Sequence, residues 1–130
     1  MYTFKIQGHR LITAEHPTTI EFTRDSELGV EGDCIVGVSA DFEPTAVKQF
    51  IKEVQGKLVA ELRVGNYIER ITGTANPAFN HETEIVLRKS SFVSGRTLMI
   101  HADKGSMELS RELVKLLRTG QKGIVMLSKQ

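Results

Sequence analysis

Between Arg88 and Lys104 the chain reads Arg-Lys-Ser-Ser-Phe-Val-Ser-Gly-Arg-Thr-Leu-Met-Ile-His-Ala-Asp-Lys. Cations and hydroxyls crowd around two short apolar runs, a density of donors that an ordinary surface loop does not need. Arginine offers a planar fork that fits phosphate or carboxylate, and lysine a movable point charge. Ser90, Ser91, Ser94 and Thr97, with backbone donors around Gly95, add the neutral half of an anion cradle. The candidate ligand residues are therefore Arg88, Lys89, Ser90, Arg96, Thr97 and Lys104, and the ligand a small phosphorylated or carboxylated molecule. No phosphate-binding Gly-x-x-x-x-Gly-Lys-Ser/Thr or dinucleotide Gly-x-Gly-x-x-Gly pattern occurs. The competing account is a solvated loop with an internal Arg–Asp pair.

Two other groupings carry possible chemistry. His9, His16 and Glu21 are ligand types for zinc, manganese or iron, with Asp33 and Asp41 further along. Gathered on one site they would hold a divalent metal and suit a metal-assisted hydrolase or lyase. Their spacing fits no established metal motif, and the alternative has Glu21 and its threonine neighbours facing water. Cys34 leads into Ile35-Val36 and is expected to be a small core residue, slow to react. The third function considered is an RNA-binding accessory domain. Against it, the chain has no tryptophan, and Phe92 is the one aromatic inside the basic stretch. Readers of single-stranded RNA interleave several rings with their charges.

The elements that must position these residues follow from periodicity. Tyr2, Phe4 and Ile6 alternate with polar residues as a half-buried strand, and Ile20 and Phe22 do the same within 18–23. Leu11–Ala14 is expected to be extended, and 25–32 to be turn-rich. Residues 34–38 read as a short, central, buried strand. Pro44 suits a first helical position, with Val47, Phe50, Ile51 and Val54 at helical spacing before Gly56. Residues 58–64 and 67–73 alternate around Gly65-Asn66 as a tight hairpin. Residues 84–88 and 97–102 are expected to form a second hairpin, with 89–96 as its connection. That places Arg88 and Arg96 at one end of the sheet and Lys104 nearer the other. Leu109, Leu113, Leu116 and Leu117 stripe a last helix, capped at its start by Asp103 or Ser106 and stopped by Gly120. Residues 124–127 form a closing strand. The fold class is mainly β, all-β to α+β, an antiparallel sandwich with two helices.

Composition narrows the class further. The 130 residues are expected to form one domain, 1–130, with 40% hydrophobic and 25% charged residues, which excludes a disordered chain. No apolar run approaches the roughly 20 residues of a membrane span, so no membrane is expected as a partner. One cysteine excludes an intrachain disulfide or a cysteine metal cluster. Without a signal-peptide pattern at Met1, the expected location is cytoplasmic. The net charge of +1 hides an asymmetry. Residues 1–87 hold 8 Lys+Arg against 13 Asp+Glu, and residues 88–130 hold 9 against 3. Either the two segments face one another, or the second presents a basic surface to an anionic partner.

Ordered blocks along most of the chain resemble an uncharacterised archaeal family known as a domain of unknown function. They are Gly8-His9, Ala14-Glu15-His16, Thr18 to Thr23, Gly32 to Val38 with Ala40-Asp41, Arg88-Lys89-Ser90, Arg96-Thr97, Ala102-Asp103-Lys104 and Arg111 to Val114. The resemblance implies a jelly-roll-like β-sandwich and an archaeal source, and it supplies no catalytic residue. Gly105-Ser106 stands where family members often carry Ala-Ala after Asp-Lys, which loosens the start of the last helix.

Overall fold

The computed structural model describes residues 1–29 and 32–130. Eight strands and two helices follow in the order β1 (Tyr2–Gln7), β2 (Thr19–Thr23), β3 (Ile35–Gly37), α1 (Pro44–Val54), β4 (Lys57–Val64), β5 (Tyr67–Ala75), β6 (Glu84–Arg88), β7 (Thr97–Ile100), α2 (Arg111–Arg118) and β8 (Lys122–Lys129). The mainly β class and the two helices are as the periodicity predicts. All eight strands join one mixed sheet in the order β1-β8-β4-β5-β7-β6-β2-β3.

The sheet curls until its ends meet. Gln7 and Val38 exchange two backbone hydrogen bonds of 2.8 and 2.9 Å, joining the β1 edge to the chain leaving β3. Phe4 of β1 stands edge-on to Phe22 of β2, with ring centroids 5.7 Å apart, so strands from opposite ends of the order share a core. Gly37 is required at this seam, because a Cβ there would lie 2.5 Å from the Ile6 side chain. Apolar residues of every strand line the inner face, among them Ile20, Phe22, Ile85, Leu87 and Leu98. Val47, Ile51 and Val54 of α1 and Leu113 and Leu117 of α2 complete the same core.

Several local expectations are corrected. Residues 34–38 do not form a central strand: β3 is the edge strand, parallel to β2, and Cys34 and Ile35 are only partly buried. Of the turn-rich stretch 25–32, residues 30 and 31 lie outside the described residues. The last helix is interrupted. A 3-10 turn at Ser106–Glu108 precedes α2, whose start is capped by Ser110, the hydroxyl accepting from Leu113 N–H at 3.3 Å. Neither Asp103 nor Ser106 caps it: Asp103 accepts from Thr72, and Ser106 Oγ donates to the carbonyls of His16 and Asp33.

The hairpin expected over 84–102 is also corrected, and this correction shapes the site. β6 and β7 pair in parallel, with Val86 beside Thr97 and a register shift before Leu87 and Met99. The connection 89–96 therefore runs back past β6 instead of turning at its end. Alternating residues explain how such a short return is possible. Ile85 and Leu87 face the core, so the crossover lies over the outer face that carries Glu84, Val86 and Arg88. Val86 is fully buried although it points away from the core.

Candidate functional site

In β2, Ile20 and Phe22 belong to the core, so Thr19, Glu21 and Thr23 must face outward. Yet all three are at most 7% exposed. The alternative in which they face water does not hold. Pairing explains the burial, because Glu21 lies opposite Val86, Thr19 opposite Arg88 and Thr23 opposite Glu84. β3 flanks the other side, with Ile35 beside Glu21. Two strands and the crossover thus enclose a polar layer on the outer side of the sheet.

Two carboxylates and two guanidiniums meet in that layer. Arg96 Nη1 donates to Glu84 Oε1 at 3.0 Å and lies 3.4 Å from Glu21 Oε1. Cys34 Sγ donates to the same Glu21 oxygen at 3.7 Å. Arg88 Nε donates to Thr97 Oγ1 at 3.0 Å, and its guanidinium sits over the Phe92 ring, 5.0 Å from the centroid. Thr97 Oγ1 also accepts from Ser94 N–H at 3.2 Å and stands 3.2 Å from Ser94 Oγ. The crossover is thereby tied to the start of β7, which holds Arg88 in place.

The electrostatics follow from burial. Glu21 is pushed up to about 7, first by burial, then by the hydrogen bond and charge of Glu84, with Arg96 opposing. Burial first, and then the charges of Glu21 and Asp33, push the Cys34 thiol up to about 11. Burial and the neighbouring charge of Arg96 lower the pKa of Arg88. At neutral pH, then, a buried carboxyl here can either hold or yield a proton, while Cys34 stays a thiol.

The other predicted residues lie outside this cluster. Lys89 Nζ pairs with Glu108 Oε1 at 2.7 Å, and Lys104 Nζ with Glu69 Oε1 at 3.0 Å and the Arg70 carbonyl at 2.9 Å. Ser90 Oγ accepts from Phe92 N–H at 3.3 Å within the crossover. His9 Nε2 lies 3.1 Å from Glu27 Oε2, and its Nδ1 accepts from Leu11 N–H. His16 Nδ1 accepts from Thr18 N–H at 3.1 Å. The structure does not bring His9, His16 and Glu21 together. Among the described residues, no three His, Cys, Asp or Glu side chains are grouped to hold a metal ion.

Sequence reasoning missed Glu84 and His81. Glu84 shares a strand face with Arg88, two alternations away, but at a strand end that looks like an ordinary solvated flank. His81 Nε2 lies 3.7 Å from Glu84 Oε2, and its Nδ1 accepts from the backbone of Thr83 and Glu84. Nothing in the loop around it signals that role.

Fold and site together define a mainly β protein whose mixed sheet closes on itself and carries a partly buried carboxylate–arginine cluster on its outer face. The chain belongs to the family described as domain of unknown function DUF371, whose model matches residues 4–130. It is similar to an uncharacterized protein of Methanocaldococcus jannaschii, 35% identical over 125 residues that cover 92% of this chain and 93% of the relative. That relative is archaeal, as the sequence blocks imply for the family. No helix among the described residues is long and apolar enough to cross a membrane.

Proposed function

We propose that the protein binds a small anionic ligand, phosphorylated or carboxylated, at Arg88, with Arg96, Ser94 and Thr97 completing the cradle. One observation carries this reading: Arg88 is the cation of the basic stretch that no described carboxylate approaches within 4.0 Å. Lys89, Arg96 and Lys104 each have a carboxylate partner. Arg88 instead bonds a neutral hydroxyl through Nε while a second guanidinium stands nearby. Burial and like charge both disfavour its ionised form, and the charge of a bound anion offsets them. Phe92, 59% exposed and stacked on Arg88, gives the ligand an apolar wall on one side.

The experiment is a titration with sulfate, orthophosphate and succinate, followed by amide chemical shifts and calorimetry. Wild type binds at least one of them, with shifts centred on 88–97. Arg88→Ala weakens binding by roughly 1.5–3 kcal/mol, the scale of a charged hydrogen bond. Arg88→Lys restores only part, because an ammonium cannot form the fork. Equal binding by wild type and Arg88→Ala, or no binding of any of the three, overturns the proposal.

A further inference from the structure

We infer that this site takes up its anion together with a proton. Glu21 and Glu84 hold Arg96 as a latch while both are charged, and protonation of Glu21 weakens that hold to the single charge of Glu84, so that a ligand on Arg88 can draw the guanidinium over. The inference rests on the anion-binding reading above, and names how that site is regulated.

The geometry supports it at three points. First, both carboxylates compete for one nitrogen of Arg96, Nη1, at 3.0 and 3.4 Å, so the latch depends on the charge of the pair. Second, Arg96 is the more exposed partner. Its side chain is 41% exposed at the end of the crossover, whereas that of Glu21 is 7% exposed in mid-strand. Third, the two arginines flank one start of β7: Arg96 directly precedes Thr97, whose hydroxyl accepts from Arg88 Nε at 3.0 Å. An anion bound here would place negative charge beside Glu21, which further favours its protonated form. By linkage, protonation then favours the anion to the same degree.

The groups facing Glu21 from every side fit this scheme. From its own strand, Thr19 and Thr23 are neutral. From the β3 side come Cys34, which remains a thiol at neutral pH, and Asp33 beside it. From β6 come Glu84 and Arg88, and from the crossover Arg96. His81 stands behind Glu84, 3.7 Å away. Glu21, pushed up to about 7, changes its charge where a cell's pH varies.

The test measures proton uptake on sulfate binding, because sulfate does not itself change protonation near neutrality. Calorimetry at pH 7 in two buffers of different ionisation enthalpy gives the protons taken up. Wild type is expected to take up a substantial fraction of one proton and to bind sulfate about tenfold tighter at pH 6 than at pH 8, the limit for one group titrating midway. Glu21→Gln, a mimic of the protonated carboxyl, binds at pH 8 as wild type does at pH 6 and takes up no proton. Glu84→Gln loosens the same latch from the other strand, flattens the pH dependence in part, and serves if Glu21→Gln does not fold. His81→Gln keeps the uptake. Sulfate bound without proton uptake, or uptake that survives in Glu21→Gln or vanishes in His81→Gln, overturns the latch while leaving the anion site standing. No sulfate bound at either pH overturns the latch, and the anion site falls with it where orthophosphate and succinate fail to bind as well.

Discussion

Glu21 and Arg96 lie 75 residues apart in the chain and 3.4 Å apart in the fold, with Glu84 on the same guanidinium nitrogen. Folding thus places a carboxyl in a buried layer where one cation serves two acids. Burial wins over that cation, and Glu21 is pushed from 4.5 up to about 7. The folded state therefore holds a proton between those values that the unfolded chain has released. Stability is greatest below about pH 4.5 as far as this group is concerned, and it is lost as pH rises through 7. The loss is on the order of 3 kcal/mol for a shift of this size. Urea unfolding between pH 5 and pH 8 checks it. Wild type should lose stability across the window, and Glu21→Gln should lose much less.

Removing Arg96 should hurt most at high pH. Arg96→Ala leaves Glu21 and Glu84 without their shared cation, and the repulsion between them grows once both are ionised. Arg96 is partly exposed, so solvent screens part of the effect. A cost of roughly 1–3 kcal/mol at pH 8 is expected, shrinking toward pH 5. The double variant Glu21→Gln/Arg96→Ala should recover much of it. A cost independent of pH would mean that Arg96 acts by packing.

Cys34 should react slowly with thiol reagents although it is not fully buried. Its thiol, pushed up to about 11 and donating to Glu21 Oε1, carries almost no thiolate at pH 7 to 8. Labelling by a coloured disulfide reagent should be far slower in the native protein than in urea. Glu21→Gln should speed it, since the charge that opposes the thiolate is gone. Equal native rates in both proteins would remove the Glu21 contribution.

The sequence revealed unequal parts of this molecule, for physical reasons. Residues 2–7, 44–54 and 57–75 were legible because their period matched their element, and Gly65, at φ +58, marked the hairpin turn. The basic stretch was legible as a concentration of cations because charge density is local information. What was not legible is long-range. Nothing in Glu84–Arg88 or Thr97–Ile100 states whether their pairing is parallel, since both arrangements satisfy the same alternation. The acidic first part and the basic last part do face one another, as Glu21 with Arg96 and Glu69 with Lys104. Thr19, Glu21 and Thr23 read as a wet face because polar alternation says which side a residue is on, not what covers that side. The interruption before α2 was missed because Leu109 continues the apolar stripe from outside the helix, buried at 2%.

That interruption sharpens the last prediction, which concerns where α2 is held. Leu113 and Leu117 are fully buried, and the helix touches β3, β4 and β5, strands from both halves of the curled sheet. Leu116 is only partly buried at the edge of the core. Leu113→Ala should therefore cost about 2–5 kcal/mol, the range for a leucine deleted from a packed core. Leu116→Ala should cost clearly less, since part of its surface already meets water. Thermal and urea unfolding of the two variants at one pH checks the order. A loss below about 0.5 kcal/mol for Leu113→Ala, or a larger loss for Leu116→Ala, would mean that the helix rests on the sheet through a different face.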